Sequence, residues 1–174
     1  TSNKGITITA SKSPLPVRTT FEQTRQALEK GGIILHESEG SKKVVFAVIG
    51  DMTLLPVFES AQQLEAAGIG VKIVSVINPR RLYRPSDVMS ETSSAADNNF
   101  LDDAGFDSLF AGDALIGVTG GTSAMLEPIM LRSNARRDVF AWKRGETTAS
   151  AGEIMAYNGL TANALTVRAT QLLG

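Results

Sequence analysis

Residues 43–50, Lys-Val-Val-Phe-Ala-Val-Ile-Gly, and residues 71–77, Val-Lys-Ile-Val-Ser-Val-Ile, decide how this chain is read. Both runs are nearly continuous in apolar, mostly β-branched side chains, and both are too short for a buried helix. A strand carries that composition when each of its faces is covered, which is the situation inside a parallel sheet flanked by helices. These two runs are therefore expected at the centre of a sheet. Outward from them, residues 113–119 (DALIGVT) read as a third strand, and the shorter stretches 32–35 and 138–142 (DVFAW) as edge strands. Alternation of such runs with helical periods is the pattern of an α/β domain.

The helices between them have recognisable ends. Thr20 with Gln23 makes a capping box ahead of Phe21, Thr24 and Leu28, and Gly31-Gly32 stops that helix. Thr53 is the expected N-cap of a second helix, with Pro56 in its first turn, Leu54, Phe58, Ala61 and Leu64 on one face, and Gly68 behind it. Residues 79–99 are rich in Ser, Asp and Asn and read as a long surface loop leading to a short helix that carries Phe106, Leu109 and Phe110.

At 174 residues, 43% of them hydrophobic, the chain can bury one sizeable core. We read a single domain over 1–174, with 1–19 as a linker and lead-in and 20–174 as the folded unit. A net charge of −1 gives no long-range reason to bind nucleic acid or an anionic membrane. The absence of cysteine excludes disulfides and thiolate chemistry and points to a cytoplasmic setting. No apolar run reaches the length of a membrane span. The chain begins at Thr1 and goes directly into Ile6, Ile8 and Ala10, which reads as a piece cut from something longer.

Motifs for chemistry are sparse. His36 is the only histidine, so neither a two-histidine metal site nor an HExxH helix is available, and it reads as a strand-end surface residue. No carboxylate pair stands at a spacing that argues for acid–base work. The best local pattern is Gly120-Gly121-Thr122-Ser123, after the third strand and before a helix with Met125, Ile129 and Met130. Amides at such a place can hold an anion. The run lacks the Lys-Ser/Thr pair of a phosphate loop and the full dinucleotide fingerprint, so a capped strand-to-helix turn is the competing reading. Basic residues gather at Arg80, Arg81 and Arg84, and again at Arg132, Arg136, Arg137, Lys143 and Arg144; they read as a solvated face or contact surface, or as anion ligands, Arg136 and Arg137 above all. Trp142 with Phe140 reads as edge-strand core.

Several segments, in order along nearly the whole chain, resemble the C-terminal region of phosphoketolases. Ser11-Lys12-Ser13-Pro14 followed by Ala27-Leu28-Glu29-Lys30-Gly31 is similar to that family's Lys-Gln-Pro segment and its acidic helix ending in Lys-Gly. Val44-Val45-Phe46-Ala47 with Gly50-Asp51 resembles its strand and Ala-Gly-Asp turn. Residues 71–85, the run from Phe100 to Phe110, and Arg132-Ser133-Asn134 continue the likeness. The chain departs from the pattern where the family has His-x-Tyr and here stands Thr119-Gly120-Gly121, around Trp142 to Glu146, and at the closing Asp-Arg-Tyr, where Thr161-Ala162-Asn163 stands.

The resemblance implies a transketolase C-terminal-like fold: three layers, α/β/α, around a mostly parallel five-stranded sheet with one antiparallel strand. It implies a parent enzyme that uses thiamine diphosphate and a divalent metal, Mg, to convert a ketose phosphate and inorganic phosphate into acetyl phosphate and an aldose phosphate. Those cofactors would be held by preceding domains of the same chain, in a homodimer, and none by this piece. Lys12 aligns with the lysine that approaches the substrate phosphate. The expected role here is non-catalytic: interdomain packing and dimer assembly, marked by an exposed apolar patch. The alternatives are a regulatory module holding an anion or nucleotide at Gly120, Gly121, Thr122, Ser123, Arg136 and Arg137, and, behind it, a free-standing hydrolase or oxidoreductase.

Overall fold

Strand β2 (Lys43–Ile49) lies at the middle of the sheet, and its alternation explains the layers on either side. Val44, Phe46 and Val48 point to one face, Val45 and Ala47 to the other, and all five are buried. The computed structural model describes residues 16–84, 100–143 and 148–174. Within them, α1 (Phe21–Lys30) precedes β1 (Gly32–Glu37) and β2, and α2 (Leu54–Ala66) leads to β3 (Gly70–Val76). Then come α3 (Asp103–Phe110), β4 (Ala114–Thr119), α4 (Glu127–Arg132), β5 (Arg136–Phe140), α5 (Ala151–Tyr157) and α6 (Ala162–Leu173).

The sheet order is β1-β3-β2-β4-β5. β2 pairs in parallel with both β3 and β4, and β4 in parallel with β5, while β1 runs antiparallel to β3 with a register shift between Ile34 and His36. One face is closed by α2 and α6, whose Leu64, Leu165 and Ala169 pack on Phe46 and Ile116. The other is closed by α3 and α4 through Phe106, Phe110, Ile129 and Met130. The five-stranded, three-layered sheet with one antiparallel strand expected from the sequence is what forms.

Local signals explain most element ends, and three expectations are corrected. Thr20 and Gln23 form the reciprocal capping box, and Gly31 adopts φ of +89°, a conformation that favours glycine and ends α1. The apolar face of α1 is smaller than the pattern promised: Ala27 is buried, whereas Phe21 and Leu28 are exposed. Thr53 does not cap α2 by its side chain. Its hydroxyl is buried and turns back to donate to the Gly50 carbonyl at 2.8 Å, so it ties the end of β2 instead. β5 stops at Phe140, and Trp142 lies beyond it, half-exposed, outside the strand and its core.

Candidate functional site

From β2 the chain crosses to β3 on one side, and β4 lies on the other side of β2, so the strand order reverses beside β2. In open α/β sheets such a reversal leaves a crevice outside the carboxyl ends of the strands. Gly50, at φ +97°, makes the turn out of β2 and starts a single 3-10 turn, Asp51–Thr53, before α2. Beside it β4 ends at Thr119, whose hydroxyl accepts the Gly121 N–H at 3.1 Å. The Gly121 carbonyl accepts the Trp142 N–H at 2.9 Å, and Lys143 N–H donates to the side-chain carbonyl of Asn158, which fixes α5 against the strand ends.

Two recesses open on this end. One, of about 480 Å³, lies between the β2 and β4 ends and α5, with Met52, Met125, Trp142, Ile154 and Met155 on its walls and Asp51 as its charged member. The second, of about 570 Å³, shares Asp51 and Met52 and continues past Val17, Arg18, Leu55 and Ile77 to the β1 edge. Val17 is 92% exposed, Leu55 61% and Met52 45%, which makes a contiguous apolar surface rather than isolated side chains. Arg18 is held over the Phe58 ring at 4.2 Å.

The opposite end of the sheet is charged. Lys72 is buried on β3 and donates to the Ser108 carbonyl while pairing with Glu37, both at 3.2 Å. Lys43 meets Glu37 at 3.0 Å and Glu39 at 3.2 Å. Burial pushes the Glu37 carboxyl up, but hydrogen bonds from Lys43 and Lys72 outweigh it and hold the carboxyl below its ordinary value. Near the same end His36 reaches Glu65 at 2.5 Å; hydrogen bonds from Ser38 first, and from His36 second, lower the Glu65 value.

No protein-family model matches the chain, and no curated protein does. Solved structures do. Transketolase from Campylobacter jejuni superposes with a TM-score of 0.57 at 20% identity, over 82% of this chain and 19% of that one. Transketolase from Pichia stipitis gives 0.60 at 15% identity, over 90% of this chain and 19% of that one. The chain has a transketolase C-terminal-like fold. A split-gene transketolase, described as an inactive β4 tetramer, gives 0.57 at 19% identity, over 93% of this chain and 48% of that one. This chain thus spans about a fifth of the two longer transketolases and about half of the split-gene chain.

Within the transketolase-like fold the site residues expected from sequence fall into separate places. Lys12 and Arg144 lie outside the described residues. Gly120–Ser123 forms the turn between β4 and α4, as expected of a capped connection: Thr122 accepts the Ala124 N–H at 3.4 Å, and the Ser123 hydroxyl donates to Glu127 at 2.6 Å. Arg136 and Arg137 begin β5, and Arg136 is in register with Ala114, so about 16 Å of strand separates them from Thr119 and the glycines. Arg136 donates to the Leu172 carbonyl at 2.9 Å and Arg137 to that of Ser133 at 3.0 Å.

Arg132 is no surface cation. Its buried guanidinium donates to the carbonyls of Leu82 and Leu101 and to Asp103, at 3.2, 2.7 and 2.8 Å, over the Phe106 ring. That contact lowers the Asp103 carboxyl. Topology alone points to the strand ends at Gly50-Asp51 and Gly120, where the recess lies; what sequence reasoning missed are its other walls, Met52, the Met125 turn, Trp142 and α5. The signal that was available is Met52, a large apolar residue one place past the Gly50-Asp51 turn where a solvent-facing loop has no need of it. Among the described residues no helix is long and apolar enough to cross a membrane.

Proposed function

We propose that this chain is the C-terminal, non-catalytic domain of a thiamine-diphosphate-dependent phosphoketolase, and that it docks the cofactor-binding domains through the apolar surface at the carboxyl end of its sheet. The observation that carries the reading is that surface, running from Val17 through Leu55, Met52 and Ile77, on a fold that matches about a fifth of the length of solved transketolases. The segment resemblance described above adds the finer assignment, a ketose phosphate and inorganic phosphate converted to acetyl phosphate and an aldose phosphate in a cytoplasmic homodimer.

The donor set at the carboxyl end does not fit thiamine diphosphate and its metal. Asp51 stands there among methionine, isoleucine and tryptophan side chains, and among the described residues the lining has no second carboxylate to share a divalent ion with a diphosphate. In this reading the preceding domains hold both groups, and Lys12 meets the substrate phosphate as a flexible point charge.

The test is reconstitution. This chain is mixed with the cofactor-binding domains of the parent enzyme, association is followed by sedimentation, and acetyl phosphate formation from fructose 6-phosphate and phosphate is assayed. The expected result is a complex that Leu55→Asp dissociates, with activity that requires the chain, and a higher KM for the sugar phosphate in Lys12→Ala. An enzyme equally active and equally assembled without the chain would overturn the proposal.

A further inference from the structure

The recess between β2, β4 and α5 is distinct in character from the open apolar surface beside it, and its own chemistry points to a ligand. Its volume of about 480 Å³ falls within the ~300–1,000 Å³ of small-molecule sites. Its polar groups are largely occupied: the Thr53 hydroxyl is given to the Gly50 carbonyl, and the Thr119 hydroxyl holds Gly121. What remains for a ligand is a carboxylate, Asp51, at the rim, the indole of Trp142, and three methionine side chains, Met52, Met125 and Met155. A carboxylate attracts a cation and repels an anion, and the face of an indole also favours a cation. Methionine thioethers are adaptable and pack well on aromatic rings. Among the described residues the lining contains no lysine or arginine to favour the opposite sign.

We propose that this recess binds a small aromatic molecule carrying one positive charge, with the ring among Met52, Met125 and Met155 and the ammonium group toward Asp51 and Trp142. The described walls of the site all come from this chain, and the proposal goes beyond the docking role; it stands whether or not the parent is a phosphoketolase. Its walls are set by contacts already made, the Trp142 N–H on Gly121 and the Lys143 N–H on Asn158, so a ligand enters a formed recess.

Three probes of similar size separate the chemistry: benzylamine, benzyl alcohol and benzoate, titrated into the 174-residue chain with its methionine methyl groups labelled for NMR. Benzylamine is expected to shift the Met52, Met125 and Met155 signals saturably, with Kd in the low millimolar range, as suits a ligand of about eight non-hydrogen atoms. Met130, buried in the core on one face of the sheet, is the internal reference and stays put. Trp142 is the only tryptophan, so its fluorescence gives a second, independent reading of the same recess. Benzyl alcohol is expected to bind about threefold more weakly and benzoate more weakly still; Asp51→Asn removes the amine preference, a change of the size an exposed ion pair supplies. Ala151→Phe, at an exposed lining position, fills the space and abolishes the shifts. The proposal falls if no probe shifts these three methyls saturably, if Met130 moves with them, or if benzoate binds as well as benzylamine. Should Ala151→Phe fail to fold, the probe ranking and Asp51→Asn still decide.

Discussion

The two ends of the sheet are built from opposite materials. At the amino end Lys72, Lys43, Glu37 and Glu39 form an ion-pair network, and Lys42 and Arg136 donate to the carbonyls of Leu173 and Leu172, at 2.5 and 2.9 Å. At the carboxyl end the chain shows methionine, leucine, valine and tryptophan to solvent, with Asp51 and Arg18 as the charged members of the described lining. The first arrangement closes on itself: it satisfies buried donors and the negative end of α6, where cations are favoured. The second leaves apolar area uncovered, which adds nothing to the stability of this chain. Under the proposed docking role, stability and recognition are separated along the strand axis, and substitutions at the two ends should act on different observables.

The largest effect on stability is expected where a buried charge loses its partner. Glu37→Ala leaves the Lys72 ammonium buried with the Ser108 carbonyl as its remaining described partner. We expect a loss of about 2 kcal/mol, below the range for fully buried pairs because Glu37 is itself half-exposed. Urea unfolding measures it, and restoring stability with Glu37→Ala/Lys72→Met would show that the cost is the stranded charge rather than lost packing. Arg136→Ala comes next, at about 1 kcal/mol, because it removes a charged hydrogen bond to the last turn of α6.

Acid should act on the same end. Glu37 and Glu65 both titrate below their ordinary value when folded, so the unfolded chain binds more protons at low pH. Their contribution is complete above the ordinary glutamate value and is lost as pH falls through the folded values. Thermal unfolding followed from pH 7 downward should therefore show a steep acid limb that Glu37→Gln and Glu65→Gln each flatten. An unchanged limb in both variants would place the acid sensitivity elsewhere.

How much of this was legible in the sequence depends on how far apart the partners lie. The nearly continuous apolar runs over residues 44–48 and 71–76 carry their own explanation, since a doubly covered strand is what tolerates them, and Thr20 with Gln23 announces a helix start within four residues. Lys72 interrupts such a run, and nothing local says that its partners are Glu37 and Ser108. Arg132 looked like one more surface cation because Leu82, Leu101 and Asp103, which enclose it, are brought in by other segments. Thr53 was legible as a polar residue at a helix start but not as the tie on β2, because one hydroxyl cannot announce which of two nearby carbonyls or amides it will take. Trp142 followed Val139 and Phe140 closely enough to pass for strand; the pairing of its N–H with Gly121 shows where it turns away. The grouping of Arg136 and Arg137 with Gly120–Ser123 joined residues that the parallel register holds at opposite ends.

The smallest stability effect is expected at the surface proposed for docking. Leu55→Ser and Met52→Ser remove exposed apolar surface, so each should change unfolding free energy by less than about 0.5 kcal/mol. The same changes should weaken association with the cofactor-binding domains by roughly tenfold apiece, because an apolar side chain covered only in the complex contributes on the order of 1–2 kcal/mol there. Sedimentation against one fixed concentration of those domains reads the second effect, and urea unfolding of the isolated chain the first. If Leu55→Ser cost more than 1 kcal/mol in the isolated chain, the carboxyl end would be part of this chain's own stability and the separation of roles would fail. If association survived both substitutions, the apolar surface would be exposed for some other purpose, and the docking face would have to be sought on the helices.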